Sequence, residues 1–401
     1  MASFTVSTAT TFSQTLVLGQ TGIVTINGSI NGGRNSIVMG PETLLTVAGA
    51  VSAEANAVVV VGSSRINITA TGAITGHLSA LAYTGTSVAN VTNAGILAGN
   101  RGIDFTGSGL SVVNSGQIMG QGDSGIFAEA SGRFQLDSSG IINGAASGVF
   151  SSGAGTDVIS NSGAISGSDA ALNLSNGTSI VVNTGLLRGG VALNGGTDRF
   201  DGSGGVQDDV YGGMGNDTVF GGAGDDGLYG DADVDWLRGS GGQDSVYGGD
   251  GVDTVAGNDG DDVINGDAGA DLVRGGDGDD TVTGGADADR VYGGAGDDAL
   301  VGGQGAFADT LWGGMGDDTL TGGTGADTFV FARGQGTDRV TDFQNNVDKL
   351  DLRAFGFANV AAVKALASDA AFGLRLDVPG EGVVFVQGLT LALLSAADVL
   401  L

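Results

Sequence analysis

The residues of this chain that could most directly do chemistry are aspartates that recur every nine residues from residue 212 to residue 330. Each nonapeptide opens with Gly, carries Asp at its sixth position and an apolar residue at its eighth, and one longer copy spans 302–312. The sixth-position residues are Asp217, Asp226, Asp235, Asp244, Asp253, Asp262, Asp271, Asp280, Asp289, Asp298, Asp318 and Asp327, with Asp309 in the longer copy. Short carboxylates beside glycine carbonyls supply the oxygen ligands that Ca²⁺ prefers. The pattern therefore predicts several calcium ions as cofactors.

The apolar eighth position indicates a folded repeat rather than a disordered Gly/Asp linker, because a linker would not keep apolar residues in register. A strand of three residues sends one side chain inward, and here that is the eighth residue. The six-residue turn before it must reverse the chain tightly, so glycine is expected to supply positive φ angles there.

The nonapeptide resembles the RTX family of calcium-binding repeats, whose consensus is G-G-x-G-x-D-x-U-x. The resemblance covers residues 212–330 and implies a parallel β-roll in which two nonapeptides form one 18-residue coil. It also implies that each ion lies between the Asp of one repeat and the Asp two repeats further on, as for Asp217 and Asp235. We expect weaker binding or more backbone strain where positions two and four are not Gly, which are Asp231, Asp233, Ser240, Asn258, Asp267 and Asp287.

Charge is concentrated in the same segment. Residues 196–330 contain 29 Asp, no Glu and 4 Arg, a net charge of −25, whereas residues 1–195 and 331–401 have net charges of −3 and −2. Such a segment repels nucleic acid and anionic membranes, and we expect no nucleic acid partner. No apolar run approaches the roughly 18 residues of a membrane span.

The segment after the repeats resembles the one that follows them in serralysin-type secreted proteases. The resemblance rests on Asp338-Arg-Val-Thr-Asp342-Phe and Asp348-Lys-Leu-Asp-Leu. It implies that Asp338 and Asp342 bind a last calcium ion; a solvated turn is the alternative. Asp398 stands before an apolar terminus, similar to the uncleaved signal of type I secretion substrates, and the N-terminus lacks the features of a classical signal peptide. We therefore expect type I secretion machinery as a partner and an extracellular or cell-surface location, although a final strand or helix that caps the roll is compatible with the same residues.

A looser repeat organises the first half of the chain. A G-x-[IVL] element begins at residues 28, 49, 72, 95, 116, 140, 163 and 185, about every 22 residues, and Asn often stands two residues before the Gly. Short alternating strands separated by Gly and Asn turns are typical of the rungs of a parallel β-helix. An antiparallel sandwich is the alternative, which the constant spacing disfavours. Gly and Asn are expected at corners with positive φ.

The chain offers little for catalysis. It has no Cys and a single His, His77, so no thiolate and no H-E-x-x-H zinc site can form. Residues 1–195 contain no Lys, and among their scattered charges Arg101 and Asp104 could meet on one face, although a solvated turn pair is the favoured interpretation. We predict that the protein is not an enzyme and has a structural or adhesive role, with a surface or extracellular glycan as partner. The alternative is a glycan-active enzyme, similar to polysaccharide lyases or epimerases, which clustered carboxylates and Arg in one groove would favour.

These observations predict an all-β fold in three parts. Residues 1–195 form a right-handed parallel β-helix, residues 196–330 an RTX calcium-binding parallel β-roll, and residues 331–401 a capping and type I secretion segment.

Overall fold

The computed structural model describes residues 2–6, 10–11, 16–18, 22–32 and 35–401, and it divides the chain into two compact units, Met1–Met214 and Gly215–Leu401. Almost all of the regular secondary structure in both units is β-strand. Within the described residues, no helix is long and apolar enough to cross a membrane. The division of the chain at residues 195 and 330 remains a prediction.

The first unit is a parallel solenoid in which each rung adds one strand to each of three sheets. The first sheet contains Ala2–Val6, Gly22–Ile26, Thr43–Val47, Ser64–Ile68, Val88–Asn93, Gly109–Asn114, Phe134–Ser138, Asp157–Asn161, Ser179–Asn183 and Arg199–Asp201. The second sheet contains Thr10–Thr11, Ser29–Gly32, Ala50–Ala53, Ala73–Gly76, Ile96–Gly99, Gln117–Gly120, Ile141–Gly144, Ala164–Ser166 and Leu186–Arg188. The third sheet contains Leu16–Leu18, Asn35–Met39, Asn56–Val60, Ser79–Thr84, Arg101–Gly107, Ile126–Ala130, Ser147–Ser152, Ala170–Asn173, Val191–Ala192 and Val210–Met214.

The eight predicted G-x-[IVL] elements form strands of the second sheet. Their apolar residues pair in parallel register and stack in the core, each no more than 1% exposed: Ile30, Val51, Ile74, Leu97, Ile118, Ile142, Ile165 and Leu187. The parallel β-helix is therefore confirmed, and the antiparallel sandwich is excluded for this region.

The recurring glycines of the β-helix have a different physical reason from the expected one. None of them has positive φ. A Cβ at Gly49 would lie 1.8 Å from the carbonyl oxygen of Gly28, and a Cβ at Gly116 would lie 2.2 Å from that of Gly95. Successive rungs approach so closely at this corner that only a residue without a side chain fits.

Buried asparagines line the same corner and bond from rung to rung. The Asn93 side-chain amide donates to Asn114 Oδ1 at 2.9 Å, and that of Asn161 donates to Asn183 Oδ1 at 2.9 Å. Ser138 interrupts this ladder between Asn114 and Asn161, with which it is in register. Each amide also satisfies backbone groups of the turn, which makes the ladder a structural element of the corner.

The second unit is a two-sheet parallel roll completed by a C-terminal hairpin. One sheet contains Thr218–Gly222, Trp236–Gly241, Thr254–Asp259, Leu272–Asp277, Arg290–Ala295, Thr310–Met315, Thr328–Val330, Lys349–Asp351 and Val399–Leu400. The other contains Gly227–Ala232, Ser245–Asp250, Val263–Ala268, Thr281–Ala286, Ala299–Gln304, Thr319–Gly323, Gly336–Val340, Gly382–Val386, Gly373–Val378 and Ala367–Ala370, the last two antiparallel to their neighbours. A 3₁₀ helix, Arg353–Phe355, and a short α-helix, Val360–Lys364, connect the two sheets.

Strand register in the roll confirms the 18-residue coil. Leu237 pairs with Val255, and Val255 pairs with Val273. Across the longer copy the offset becomes 20, because Val291 pairs with Leu311, while Phe307 of the inserted pair is 49% exposed and lies outside the strands. The strands are usually six residues long rather than three, since they continue through the first three residues of the next repeat. The second inward position along such a strand is the first-position Gly, so only the eighth residue contributes a side chain to the core.

Candidate metal centre

Two columns of aspartates run along the two edges of the roll. In each column the backbone N–H of one Asp donates to Oδ1 of the Asp one coil further on, at 2.7–3.3 Å. The first column contains Asp217, Asp235, Asp253, Asp271, Asp289, Asp309, Asp327 and Asp348. The second column contains Asp226, Asp244, Asp262, Asp280, Asp298, Asp318 and Asp338. The structure thus joins the Asp of each repeat to the Asp two repeats on.

The second oxygen of these carboxylates is buried and unsatisfied. All residues of the two columns are at most 5% exposed. Within the described residues, Oδ2 has no hydrogen-bond partner in Asp235, Asp244, Asp253, Asp262, Asp271, Asp280, Asp289, Asp298, Asp318 and Asp327. A buried carboxylate oxygen without a donor is costly unless a cation or a proton accompanies it. The columns therefore have the chemistry of a cation site.

The first-position glycines make room for this arrangement. A Cβ at Gly230 would lie 2.5 Å from Asp235 Oδ2 and 2.3 Å from the carbonyl oxygen of Gly248, and a Cβ at Gly266 would lie 2.6 Å from Asp271 Oδ2. Carboxylate and carbonyl oxygens thus converge beside each of these glycines. An all-oxygen donor set of this kind suits a hard divalent cation, with Ca²⁺ the best fit to several carbonyls and a flexible geometry.

Side chains alone do not complete a coordination sphere. Among the residues that the structure describes, no group of three or more Asp, Glu or His side chains converges on one point. Calcium needs about six to eight oxygens. An ion in this roll would therefore draw on carboxylates from two stacked turns together with the backbone carbonyls of those turns.

Burial dominates the electrostatics of the columns. It raises the pKa of Asp235, Asp271, Asp280, Asp289 and Asp298 to about 7. The hydrogen bond from the N–H of the neighbouring turn lowers each pKa and so offsets part of this rise. The charge of the adjacent Asp in the column raises each pKa further. In the absence of a cation, these carboxyls are therefore partly protonated near neutral pH.

The repeats that lack Gly at positions two and four have the strained backbone that we expected. The φ angles are positive at Asp231, Ser240, Asn258 and Asp267 in position two, between 71° and 95°, and at Asp233 and Asp287 in position four, at 80° and 78°. Asp and Asn tolerate this region better than most residues, and Ser240 adopts it without that advantage.

The structure places Asp338 and Asp342 in different surroundings. Asp338 ends the second column, where its Oδ1 accepts the Asp318 N–H at 3.3 Å. Asp342 instead accepts the N–H groups of Gly322 at 3.0 Å and Gly323 at 2.8 Å. The metal binding of both residues stays a prediction, and the geometry does not bring them together on one partner.

Sequence reasoning missed Asp348, which ends the first column. Its Oδ1 accepts the Asp327 N–H at 3.1 Å, and it is 1% exposed. The available signal was Asp348 followed two residues later by Leu350, the same Asp-x-apolar order as in the repeats. The longer connection from Asp327 hid it, because the spacing of nine no longer applies there.

The end of the chain is part of the same fold. Asp398 is fully buried; its Oδ1 accepts the Asn346 N–H at 2.7 Å, and its Oδ2 accepts the N–H and hydroxyl of Ser395 at 2.7 and 2.6 Å. The strand that follows, Val399–Leu400, pairs in parallel with Lys349–Asp351.

Outside the roll, the third sheet of the β-helix carries a charged and aromatic patch. Arg101 Nε lies 2.6 Å from Asp123 Oδ2, and Arg101 Nη1 lies 3.2 Å from Asp104 Oδ1. The same guanidinium lies 3.7 Å from the ring centre of Phe127, which stacks on Phe150 at 5.2 Å. We call these five residues the Arg101 patch. Sequence reasoning paired Arg101 with Asp104 but missed Asp123, which the next rung brings into contact.

The fold and the columns together define a calcium-binding β-roll. Residues 211–246, 229–264, 247–282, 274–306 and 305–329 match the family model of the RTX calcium-binding nonapeptide repeat. These residues are RTX calcium-binding repeats, as the sequence predicted.

Several solved structures are similar to the chain. One of them is the crystal structure of the extracellular lipase LipA from Serratia marcescens, with 22% identity over 47% of this chain and 40% of the lipase chain, and a TM-score of 0.28. The chain therefore matches less than half of the lipase's length, and the similarity carries no argument about function. No curated protein matches the chain.

Proposed function

We propose that this chain is a secreted calcium-binding protein whose roll folds when calcium binds outside the cell, and that its role there is structural or adhesive. The observation that carries the proposal is the pair of buried aspartate columns, in which the ten carboxylates named above have an Oδ2 atom without a hydrogen-bond partner among the described residues. The columns accept a row of ions, each between successive coils. Export through a type I secretion system accounts for the chain's Asp398-containing terminus and for its RTX repeats.

Charge makes calcium a requirement for the roll rather than an addition. Residues 196–330 have a net charge of −25 over 135 residues. Like charges a few ångströms apart repel strongly once they are partly desolvated. One core side chain in each nonapeptide does not offset that repulsion together with the ordering entropy of the glycines. Metal affinity then becomes folding free energy, and stacked sites depend on one another, so binding is cooperative.

The test is a calcium titration of two fragments by circular dichroism. Residues 196–401 gain their β signal only as calcium is added, whereas residues 1–195, with near-neutral charge and a stacked aliphatic core, show it in chelator. Within the roll, Asp262→Ala raises the calcium midpoint more than Asp198→Ala does, because Asp262 lies between two column neighbours, Asp244 and Asp280. A 196–401 fragment with full β signal in chelator would defeat the proposal.

The Arg101 patch supports the adhesive role and also favours the second candidate, a glycan-active β-helix enzyme. Its Arg, two carboxylates and stacked rings are groups that bind sugars through hydrogen bonds and apolar contact. The side chains of Arg101, Asp104 and Asp123 are about one-third exposed and form ion pairs with one another. Carboxylates that are paired in this way fit ligand binding better than proton transfer. We infer a glycan contact without turnover.

A glycan array with and without calcium tests the contact, and assays on alginate and pectin test the enzyme. Binding that Arg101→Ala weakens, without turnover, supports adhesion. Turnover that Asp104→Ala or Arg101→Ala abolishes would establish the second candidate instead. The matched control is Arg133→Ala, an exposed Arg of the same β-helix outside the patch.

A further inference from the structure

Three successive rungs of the β-helix contain the turn pattern of the roll, upstream of the residues that match the repeat family. The pattern is Gly-Thr followed by Asp or Ser and, two residues later, by a buried apolar residue. It occurs at residues 155–159, 177–181 and 196–200, with Asp157, Ser179 and Asp198 in the aspartate position. The eighth-position residue of the roll corresponds here to Ile159, Val181 and Phe200, each at most 1% exposed.

These turns stack as the turns of the roll do. Asp157 is in register with Ser179, and the pairing of Ile180 with Arg199 places Ser179 in register with Asp198. A Cβ at Gly177 would lie 1.9 Å from the carbonyl oxygen of Gly155, and a Cβ at Gly196 would lie 2.7 Å from that of Gly177. In the roll, a Cβ at Gly278 would lie 2.3 Å from the carbonyl oxygen of Gly260 in the same way.

The hydrogen bond that defines the columns is also present. The Ser179 N–H donates to Asp198 Oδ1 at 2.5 Å, as the Asp235 N–H donates to Asp253 Oδ1 at 2.7 Å in the roll. Asp157, one rung below, is held differently, because its two oxygens accept the hydroxyls of Ser151 and Ser175 at 2.9 Å. Asp157 and Asp198 are 1% and 2% exposed.

Ser179 is the feature that points to a ligand. Its hydroxyl is fully buried, and among the described residues it has no hydrogen-bond partner. It occupies the aspartate position of a stacked turn, between two buried carboxylates. Burial raises the pKa of Asp198 to about 6, and the charge of Asp157 adds to that rise. A cation between these groups would satisfy the hydroxyl oxygen and compensate the buried charge.

We propose that Ser179 and Asp198 hold a calcium ion in the β-helix, one rung above the buried Asp157. Calcium binding is then not confined to the roll, and Ser179 makes this position weaker than those of the roll. The identity of the ion rests on the proposed function; the position of the site rests on residues 155–200 alone. The ligands are the Asp198 carboxylate, the Ser179 hydroxyl and turn carbonyls such as that of Gly177.

A crystal structure of the full chain grown in calcium, with anomalous difference maps at long wavelength, locates the ions directly. Peaks along the roll and one between Ser179 and Asp198 support the proposal. Peaks along the roll without one at Ser179 overturn this inference and leave the proposed function intact. A map without peaks at saturating calcium overturns both.

Hydrogen exchange of the full chain, with and without calcium, provides an independent measurement that does not need crystals. Calcium slows exchange of the amides of residues 177–200. In Asp198→Asn, calcium no longer slows exchange in residues 177–200 but still slows it in residues 227–323. In Ser179→Asp, exchange in residues 177–200 slows at a lower calcium concentration, because the variant supplies the missing carboxylate. The control is Asp137→Asn, an exposed Asp of the same sheet, which leaves both regions unchanged. Unchanged exchange of residues 177–200 with calcium in the unsubstituted chain overturns the proposal.

Discussion

At the scale of single residues, the roll depends on glycines for two different reasons. Positions two and four have positive φ in most repeats, although not at Gly224, and Asp, Asn and Ser replace Gly there at a cost in backbone strain. Position one has no such φ but stands against a carboxylate and a carbonyl oxygen. A side chain is therefore excluded from position one by contact rather than by conformation, and the two reasons can be separated by substitution.

Gly266→Ala tests the contact. Its Cβ would meet the Gly284 carbonyl oxygen at 2.5 Å and Asp271 Oδ2 at 2.6 Å, so the carboxylate must move. We expect destabilisation of the calcium-loaded roll by about 1–3 kcal/mol, typical of overpacking. The calcium midpoint followed by circular dichroism rises accordingly. Gly224→Ala is the matched control, because a Cβ there meets nothing within 4 Å, and an equal shift in both variants would contradict the contact argument.

The buried carboxyls also predict how the calcium-free chain responds to pH. Burial raises the pKa of Asp271 and Asp280 from 3.8 to about 7 in the folded roll. Protonation of these carboxyls therefore stabilises the folded roll. This stabilisation is fully present below the unfolded pKa of 3.8 and is lost as the pH rises through about 7. In chelator, the folded fraction of the roll is larger at about pH 5 than at about pH 8.

Circular dichroism in chelator across that pH range is the measurement. With saturating calcium the trend is reversed, because protons compete with the ion for the same oxygens. A calcium-free roll that gains structure as the pH rises would show that the columns are not buried as described.

At the scale of elements, the asparagine ladder of the β-helix has one gap. Ser138 stands between Asn114 and Asn161 in the sequence context that holds asparagine in neighbouring rungs, two residues before a corner Gly. We expect Ser138→Asn to join the two halves of the ladder and stabilise the β-helix by about 1 kcal/mol, the net contribution of a buried hydrogen bond.

Thermal unfolding of the β-helix, followed with calcium absent, measures the effect. Asn114→Ser is the opposite change and lowers the stability by a similar amount, because it removes an amide that donates to Ser138 Oγ at 3.2 Å. A Ser138→Asn variant less stable than the unsubstituted chain would mean that the corner has no room for a longer side chain there.

The elements also separate what the sequence could predict from what it could not. The spacing of about 22 residues reveals the coils of the β-helix directly, because a coil repeats its own length along the chain. In the roll the spacing of nine is only half a coil, and the pairing of Asp217 with Asp235 is implied by the resemblance to the RTX repeats. Asp348 and the Arg101–Asp123 pair break that rule, since their partners are set by loops of irregular length. The close contact at Gly49 was invisible for another reason: sequence indicates where glycine is needed but not whether φ or a neighbouring atom requires it.

At the scale of the whole molecule, the C-terminal segment is predicted to contain the export signal. Deletion of residues 340–401 removes Asp398 and its apolar neighbours. We expect the truncated chain to stay inside cells that carry a type I exporter, because the deleted residues include the terminus that is similar to the signal of type I secretion substrates. Immunodetection in medium and cell pellet measures the distribution. The control is a deletion within the β-helix, of the rung at residues 95–115, which leaves export unchanged; continued secretion of the chain without 340–401 would refute the role of this segment.

The pairing of Val399–Leu400 with Lys349–Asp351 imposes an order of events. The Leu350 N–H donates to the Asp398 carbonyl at 2.8 Å, and the Leu352 N–H donates to that of Leu400 at 2.9 Å. A chain end that is hydrogen-bonded into a sheet cannot at the same time be held extended by a transporter. If the transporter recognises these residues during export, recognition must come before this strand pairs with the sheet. A low calcium concentration inside the cell and a high one outside would separate recognition of the chain end from its pairing into the sheet.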